Sequence, residues 1–202
     1  MLTAIQQEKH ALRDQIRLWL EQMSSAARAE GSTQVCSRLK QQTVWRNAKS
    51  ILFFAPLREE VDVWPLLVST RSAGRKVALP RFDAASGGYV ACQIENLQRD
   101  LVFGKFGIRE PALHCPAIPA ASVDLILVPA AAFDLRGHRL GRGSGFYDRL
   151  LAPLRGKKWG VAFDQQVLSL VPAEPHDVCL DSLVTPTRWI EFRAPPVSCS
   201  AD

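Results

Sequence analysis

Between residue 3 and about residue 30, Ile5, Leu12, Ile16, Trp19, Leu20 and Met23 all fall on one side of a 3.6-residue repeat. That stripe predicts an amphipathic helix with its apolar face turned to a core. A second helix is expected from about Thr33 to Trp45. The pattern then changes: residues 50–55 (SILFFA) are short and continuously apolar, as expected of a strand buried on both faces. Asp62 stands where an N-cap would open a helix over residues 63–73, and Gly74 stands where a left-handed residue would close it. KVALPRF from Lys76 reads as the next strand, Gly87-Gly88 as a turn, and the alternating YVACQIE as a further strand. Residues 96–121 are Pro-rich and irregular. VDLILV, residues 123–128, is the clearest buried strand, and WGVAF from Trp159 and SLVTP from Ser182 add two more. Strands alternating with helices predict an α/β fold.

Composition narrows this picture. A chain of 202 residues fits one domain and can bury a self-sufficient core, so residues 1–193 are expected to form a single domain, with APPVSCSAD (194–202) as a disordered tail. At 47% hydrophobic and 22% charged residues, the chain is neither disordered nor fibrous as a whole. No run approaches the roughly 18 to 20 apolar residues that span a bilayer, and charges lie near the N-terminus where a signal peptide needs an apolar core. A cytoplasmic protein with no membrane partner is therefore expected. The five cysteines form no CxxC pair, which argues against both a disulfide framework and a zinc site. A net charge of +5 admits either nucleic acid or small polyanions. The basic residues are dispersed, without interleaved aromatics, which favours small anions such as nucleotides over nucleic acid.

Candidate chemistry concentrates in VPAAAFDLRGHRLGRGSGFYDRLL, residues 128–151. Its glycines at 137, 141, 143 and 145 permit backbone conformations closed to other residues, so successive amides can converge ahead of the helix-like FYDRLL. The glycines alone fit a structural turn as well as an anion cradle. Arg139 and Arg142, able to neutralise phosphate, and Asp148, able to hold Mg2+ directly or through water, favour the cradle. Neither a P-loop nor a dinucleotide fingerprint is present, because GK[ST] is missing and Phe146 replaces the third glycine of GxGxxG. Asp134 reads as turn punctuation ahead of Gly137. Taken by themselves, Lys9 and Glu60 read as solvated charges, Phe106 as core, and the Glu174, His176, Asp177 cluster as a turn. His10, His114 and His138 receive no catalytic role.

Residues 129–149 match nearly throughout a signature of approximately PGxxFDxxGxRLGxGxGYYDR. PLREEVD, LPRF, GKFGIREP, GVAFDQQ and EPHDVCLD follow the same pattern in order. In these blocks, over roughly residues 6–190, the chain resembles the 5-formyltetrahydrofolate cyclo-ligase (5,10-methenyltetrahydrofolate synthetase) family. The resemblance implies a three-layer sandwich, with a central mixed, mostly parallel sheet flanked by helices. It also implies ATP- and Mg2+-dependent cyclisation of 5-formyltetrahydrofolate, with or without a polyglutamate tail, to 5,10-methenyltetrahydrofolate, with release of ADP and phosphate.

By the same resemblance, Lys9, Arg142 and Asp148 are catalytic, and Asp148 and Asp177 hold the metal. ATP lies against Lys9, Arg13, Arg139, Leu140, Gly141 and Arg142. The folate lies against Ala55, Glu60 and Phe106, and both ligands touch Gly143, Ser144, Gly145, Phe146 and Tyr147. The chain departs from the family pattern at three places: Ala130 replaces a glycine, Ser144 fills a variable position, and Phe146 stands where tyrosine is frequent.

Overall fold

The fold was obtained as a computed structural model that describes residues 3–104, 107–143, 145–174 and 177–192. Helix α1 (Ala4–Gln22) opens on a capping box, in which the Thr3 hydroxyl accepts from the Gln6 amide and the Gln6 side chain accepts from the Thr3 amide. The helix ends earlier than its apolar stripe suggests. Met23 and Ser24 are extended, and the Ser24 hydroxyl accepts from the Ala27 amide, which opens α2 (Ser25–Gln41). The serine offers the following segment an acceptor that a continuous helix would leave to solvent, so the boundary falls at 24 and not near 30. A short α3 (Thr43–Asn47) leads into β1 (Ser50–Leu52).

Strand β1 is shorter than its apolar run. Phe53 still donates to the carbonyl of Ala78, at 2.9 Å, but residues 53–55 then leave the sheet. Helix α4 (Trp64–Ser72) has Val63 at its N-cap; Asp62 instead accepts the Trp64 amide at 2.9 Å from one position further out. Gly74, with φ +78°, stands just past its end as expected. The order continues with β2 (Lys76–Asp83), β3 (Gly88–Ile94) and a hairpin of β4 (Leu101–Phe103) and β5 (Arg109–Pro111), which lies inside the segment that reads as irregular. Then come β6 (Leu125–Val128), β7 (Ala132–Asp134), β8 (Arg139–Leu140), α5 (Phe146–Leu151), β9 (Lys157–Val161), β10 (Val167–Leu168), β11 (Ser182–Val184) and β12 (Trp189–Glu191).

The main sheet has seven strands in the order β12-β11-β9-β6-β1-β2-β3. The five inner strands are parallel, and antiparallel β12 and β3 form the two edges. Alternate residues of each parallel strand serve opposite faces. Ile51, Val77, Leu125 and Leu127 pack with Ile16, Leu20, Val35, Leu39 and Leu66 of α1, α2 and α4. Leu52, Ala78, Ile126 and Val128 pack with Leu150, Leu151 and Leu154, in and just after α5. A mixed, mostly parallel sheet flanked by helices is thus present, as the resemblance implies. No helix among the described residues is long and apolar enough to cross a membrane.

Asp134 belongs to the scaffold, in keeping with its reading as turn punctuation. Its side chain is fully buried where β7 turns towards β8. Oδ1 accepts the amides of Arg136 and His138, while Oδ2 accepts the amide of Val171 and lies 3.1 Å from His138 Nδ1. Burial pushes this carboxyl up, but these donors outweigh it and hold it below the usual carboxylate range. Asp134→Ala leaves three amides without their acceptor and is expected to cost about 2 to 4 kcal/mol in denaturant unfolding. A carboxyl with a lowered pKa contributes stability that is present above its unfolded value and lost as pH falls through the folded one. The gap between native protein and variant should therefore narrow in acid.

Candidate functional site

Numbered by first appearance, the five parallel strands run second, first, third, fourth, fifth across the sheet. The chain therefore leaves β1 towards one edge and returns at β6 towards the other. Loops following two such neighbours diverge, and the crevice between them is where open α/β sheets take ligands. A cavity of about 380 Å³ lies there. Its walls include Ala55, Leu57 and Glu60 from the segment after β1, and Pro129 and Ala130 directly after β6. Pro80, Tyr89, Ile108, Arg109 and Glu110 add further wall, and the glycine-rich segment closes the site with residues from Arg139 to Asp148.

Glu60 is the buried acid of this cavity, with 9% of its surface exposed. One oxygen accepts the Leu57 amide at 2.9 Å and the other accepts from Arg142 Nη2 at 2.9 Å. The same guanidinium nitrogen lies 3.0 Å from Glu59. Burial raises the Glu60 pKa, while Arg142 and the Leu57 amide pull the other way without cancelling the rise. Arg142, read from sequence as a phosphate ligand, is thus also the counter-ion of the acid that the resemblance gives to folate.

The glycine segment is shaped as its sequence suggests. Gly143 and Gly145 take φ of +109° and +63°, and Gly145 is the N-cap of α5. The segment is anchored from α1, because Arg13 Nε donates to the carbonyl of Gly141 at 2.8 Å. Phe146 and Tyr147 continue the wall. The Phe146 ring meets those of Tyr89 and Phe82 edge to face, at 5.5 and 5.7 Å between centroids, with the Arg149 guanidinium 5.0 Å above it. Phenylalanine at this position keeps the packing that any aromatic ring would provide. Buried Gln166 secures the floor by donating to the carbonyls of Ala130 and Ala131.

A second group of charges adjoins the cavity beside Asp148. Asp148 Oδ1 accepts from Arg139 Nη2 and lies 3.4 Å from the amide of Val178, the residue after Asp177. Asp148 Oδ2 makes no bond among the described residues. Lys9 Nζ sits 2.7 Å from Glu174 and 3.6 Å from Asp177, whose carboxylate also accepts the Glu174 amide. Among the described residues, three carboxylates and two cations from three distant parts of the chain therefore meet here. The oxygen donors suit Mg2+, which prefers oxygen and retains several waters.

The residues singled out from sequence thus largely converge. Ala55, Glu60, Arg139, Gly141, Arg142, Gly145, Phe146, Tyr147 and Asp148 line the cavity, and Lys9, Arg13, Gly143 and Asp177 adjoin it. Leu140 is the exception: its side chain is 1% exposed and packs in the core. In a two-residue strand flanked by site residues, alternation turns every second side chain away. Arg139, expected at the phosphates, lines the cavity but is buried and paired with Asp148. Phe106, Ser144, His176 and the 194–202 tail lie outside the described residues. The sequence reading missed Glu59, Tyr89, Arg109 and Glu174 as site residues. Only Glu174 carried a signal, in its spacing from Asp177.

A model of the 5-formyltetrahydrofolate cyclo-ligase family matches residues 5–186. The chain is 38% identical to a 5-formyltetrahydrofolate cyclo-ligase of Mycolicibacterium smegmatis over 151 residues, covering 71% of this chain and 77% of the relative. It is 34% identical to the enzyme of that name from Escherichia coli K12 over 149 residues, covering 72% and 82%. Among solved structures, an Aquifex aeolicus 5,10-methenyltetrahydrofolate synthetase superimposes with a TM-score of 0.83 at 32% identity, covering 93% of this chain and 94% of that one.

Because Arg142 is the largest pull opposing burial at Glu60, Arg142→Ala should push the Glu60 carboxyl further up. An NMR carboxyl titration of the native protein should place Glu60 above the ordinary glutamate value, and that of the variant higher still. An unchanged midpoint in the variant would show that Glu60 does not feel Arg142.

Proposed function

The chain belongs to the 5-formyltetrahydrofolate cyclo-ligase family, and from that premise we propose that it converts 5-formyltetrahydrofolate and ATP into 5,10-methenyltetrahydrofolate, ADP and phosphate. The observation that carries this reading is the junction, at one crevice, of a buried acid (Glu60) with a glycine loop bearing Arg142. Recognition of a fused heterocycle and handling of phosphate then take place side by side.

The chemistry accounts for the nucleotide. A formamide carbon is a weak electrophile and its oxygen a poor leaving group, so closure by the weakly nucleophilic N10 is slow. Transfer of the γ-phosphoryl group to the formyl oxygen breaks the bond between γ-phosphorus and the bridging oxygen and releases ADP. N10 then adds to the activated carbon and loses its proton, and the C–O bond breaks with departure of phosphate, which can carry that proton away, leaving the methenyl bridge.

The protein's part is alignment and charge neutralisation more than proton transfer. Glu60 holds the folate heterocycle at the buried end of the cavity. Phe146 and Tyr147 pack against it, and the glycine loop with Lys9, Arg13 and Arg142 cradles the phosphates. Oδ2 of Asp148 and the carboxylate of Asp177 would hold Mg2+, which supplies neutralisation of phosphate charge when bound. Arg139, paired with Asp148, orients that carboxylate.

Mixing protein, Mg2+, ATP and 5-formyltetrahydrofolate should produce the methenyl chromophore in step with released phosphate. A folded protein that gives no ATP-dependent signal would sink the reading. Asp148→Asn and Lys9→Ala are each expected to lower kcat/KM for ATP about tenfold or more, whereas Glu60→Ala should chiefly raise KM for the folate. Equal, small effects of all three on both substrates would count against these roles.

A further inference from the structure

Three arginines line the cavity, and two of them face carboxylates: Arg139 meets Asp148, and Arg142 meets Glu59 and Glu60. The third, Arg109, makes no hydrogen bond and no ion pair with the described residues. It opens β5, is exposed, and lies with its guanidinium carbon 5.1 Å from the centroid of the Trp64 ring. Trp64 begins α4, its amide is held by Asp62, and its ring packs against the core. The arginine therefore rests on a fixed platform. A guanidinium stacked through its face keeps its N–H edge free for a planar, two-oxygen acceptor. The nearest acid in sequence, Glu110, already accepts the Phe82 amide at 3.0 Å.

We propose that Arg109 receives the glutamate carboxylate of the folate substrate, and so determines selection for substrates that carry an anionic tail. The inference rests on the folate reading above. Folates end in an aminobenzoyl-glutamate tail that extends from the heterocycle. With the heterocycle at buried Glu60, the tail leaves through the open side of the cavity, where Arg109 stands. Carboxylate and guanidinium form a bidentate, charge-assisted pair, and the cost of ordering the arginine is reduced because Trp64 already holds it. The cavity thus carries an acceptor at its deep end for the heterocycle's N–H groups and a donor at its mouth for the carboxylate.

The test compares native protein, Arg109→Ala and Arg109→Lys on 5-formyltetrahydrofolate and on 5-formyltetrahydropteroate, which lacks the glutamate. Arg109→Ala is expected to raise KM for the folate about tenfold, the loss typical of one charge-assisted hydrogen bond. The KM for ATP and kcat should stay within about twofold, and Arg109→Lys should recover part of the loss. For the pteroate, all three proteins should show the same KM, at the weakened level. A KM rise of equal size on both substrates, or no rise on either, overturns the proposal while leaving the cyclo-ligase reading intact. Failure of the native protein to turn over either substrate removes that reading, and the inference with it.

Discussion

Five adjacent parallel strands with apolar side chains on both faces have to be covered on both sides. The chain meets that requirement by sending α1, α2 and α4 to one face and the α5 region to the other. Covering both faces means changing direction once, between β1 and β6. Each later feature of the site follows from that reversal. The loops after β1 and β6 diverge, the first carries Glu60, and the second leads into the hairpin and glycine segment that face it. Asp134 fixes the turn of that hairpin, and Arg13 ties the glycine segment back to the first helix.

The resulting cavity is held together by opposite charges from distant segments. Arg142 against Glu60, and Lys9 against Glu174 and Asp177, each join parts of the chain that the fold alone brings near, while Arg139 against Asp148 closes the glycine segment on itself. A buried acid such as Glu60 is costly unless paired, and pairing with Arg142 offsets part of that cost while leaving its pKa raised. In the proposed reaction the same groups meet ligands of opposite charge. Arg142 lines the cavity and at the same time pairs with its buried acid.

Errors in reading the chain arose where a local signal competed with a neighbour. The apolar stripe of α1 runs past the point where Ser24 begins a new helix, because periodicity records which side is buried and not where hydrogen bonding restarts. Asp62 looks like a cap and nearly is one, but the helix starts a residue later and the side chain reaches only its first amide. Leu140 sits among site residues yet turns inward, since a two-residue strand still alternates. Tyr89 and Arg109 belong to edge strands whose patterns mark them as half-exposed and say nothing of what they face.

The sequence by itself determined the α/β class, most of the strands, the glycine segment with its charged flanks and, through motif likeness, the family. These are local properties: side-chain periodicity, the conformational freedom of glycine, and residue spacing within one short block. Only the tertiary structure decided the strand order, the position of the crevice, and the pairing of Arg142 with Glu60, Arg139 with Asp148 and Lys9 with Glu174 and Asp177. Such pairings depend on which strands become neighbours when both sheet faces are buried at once. That is a condition on the whole chain, which no single segment carries.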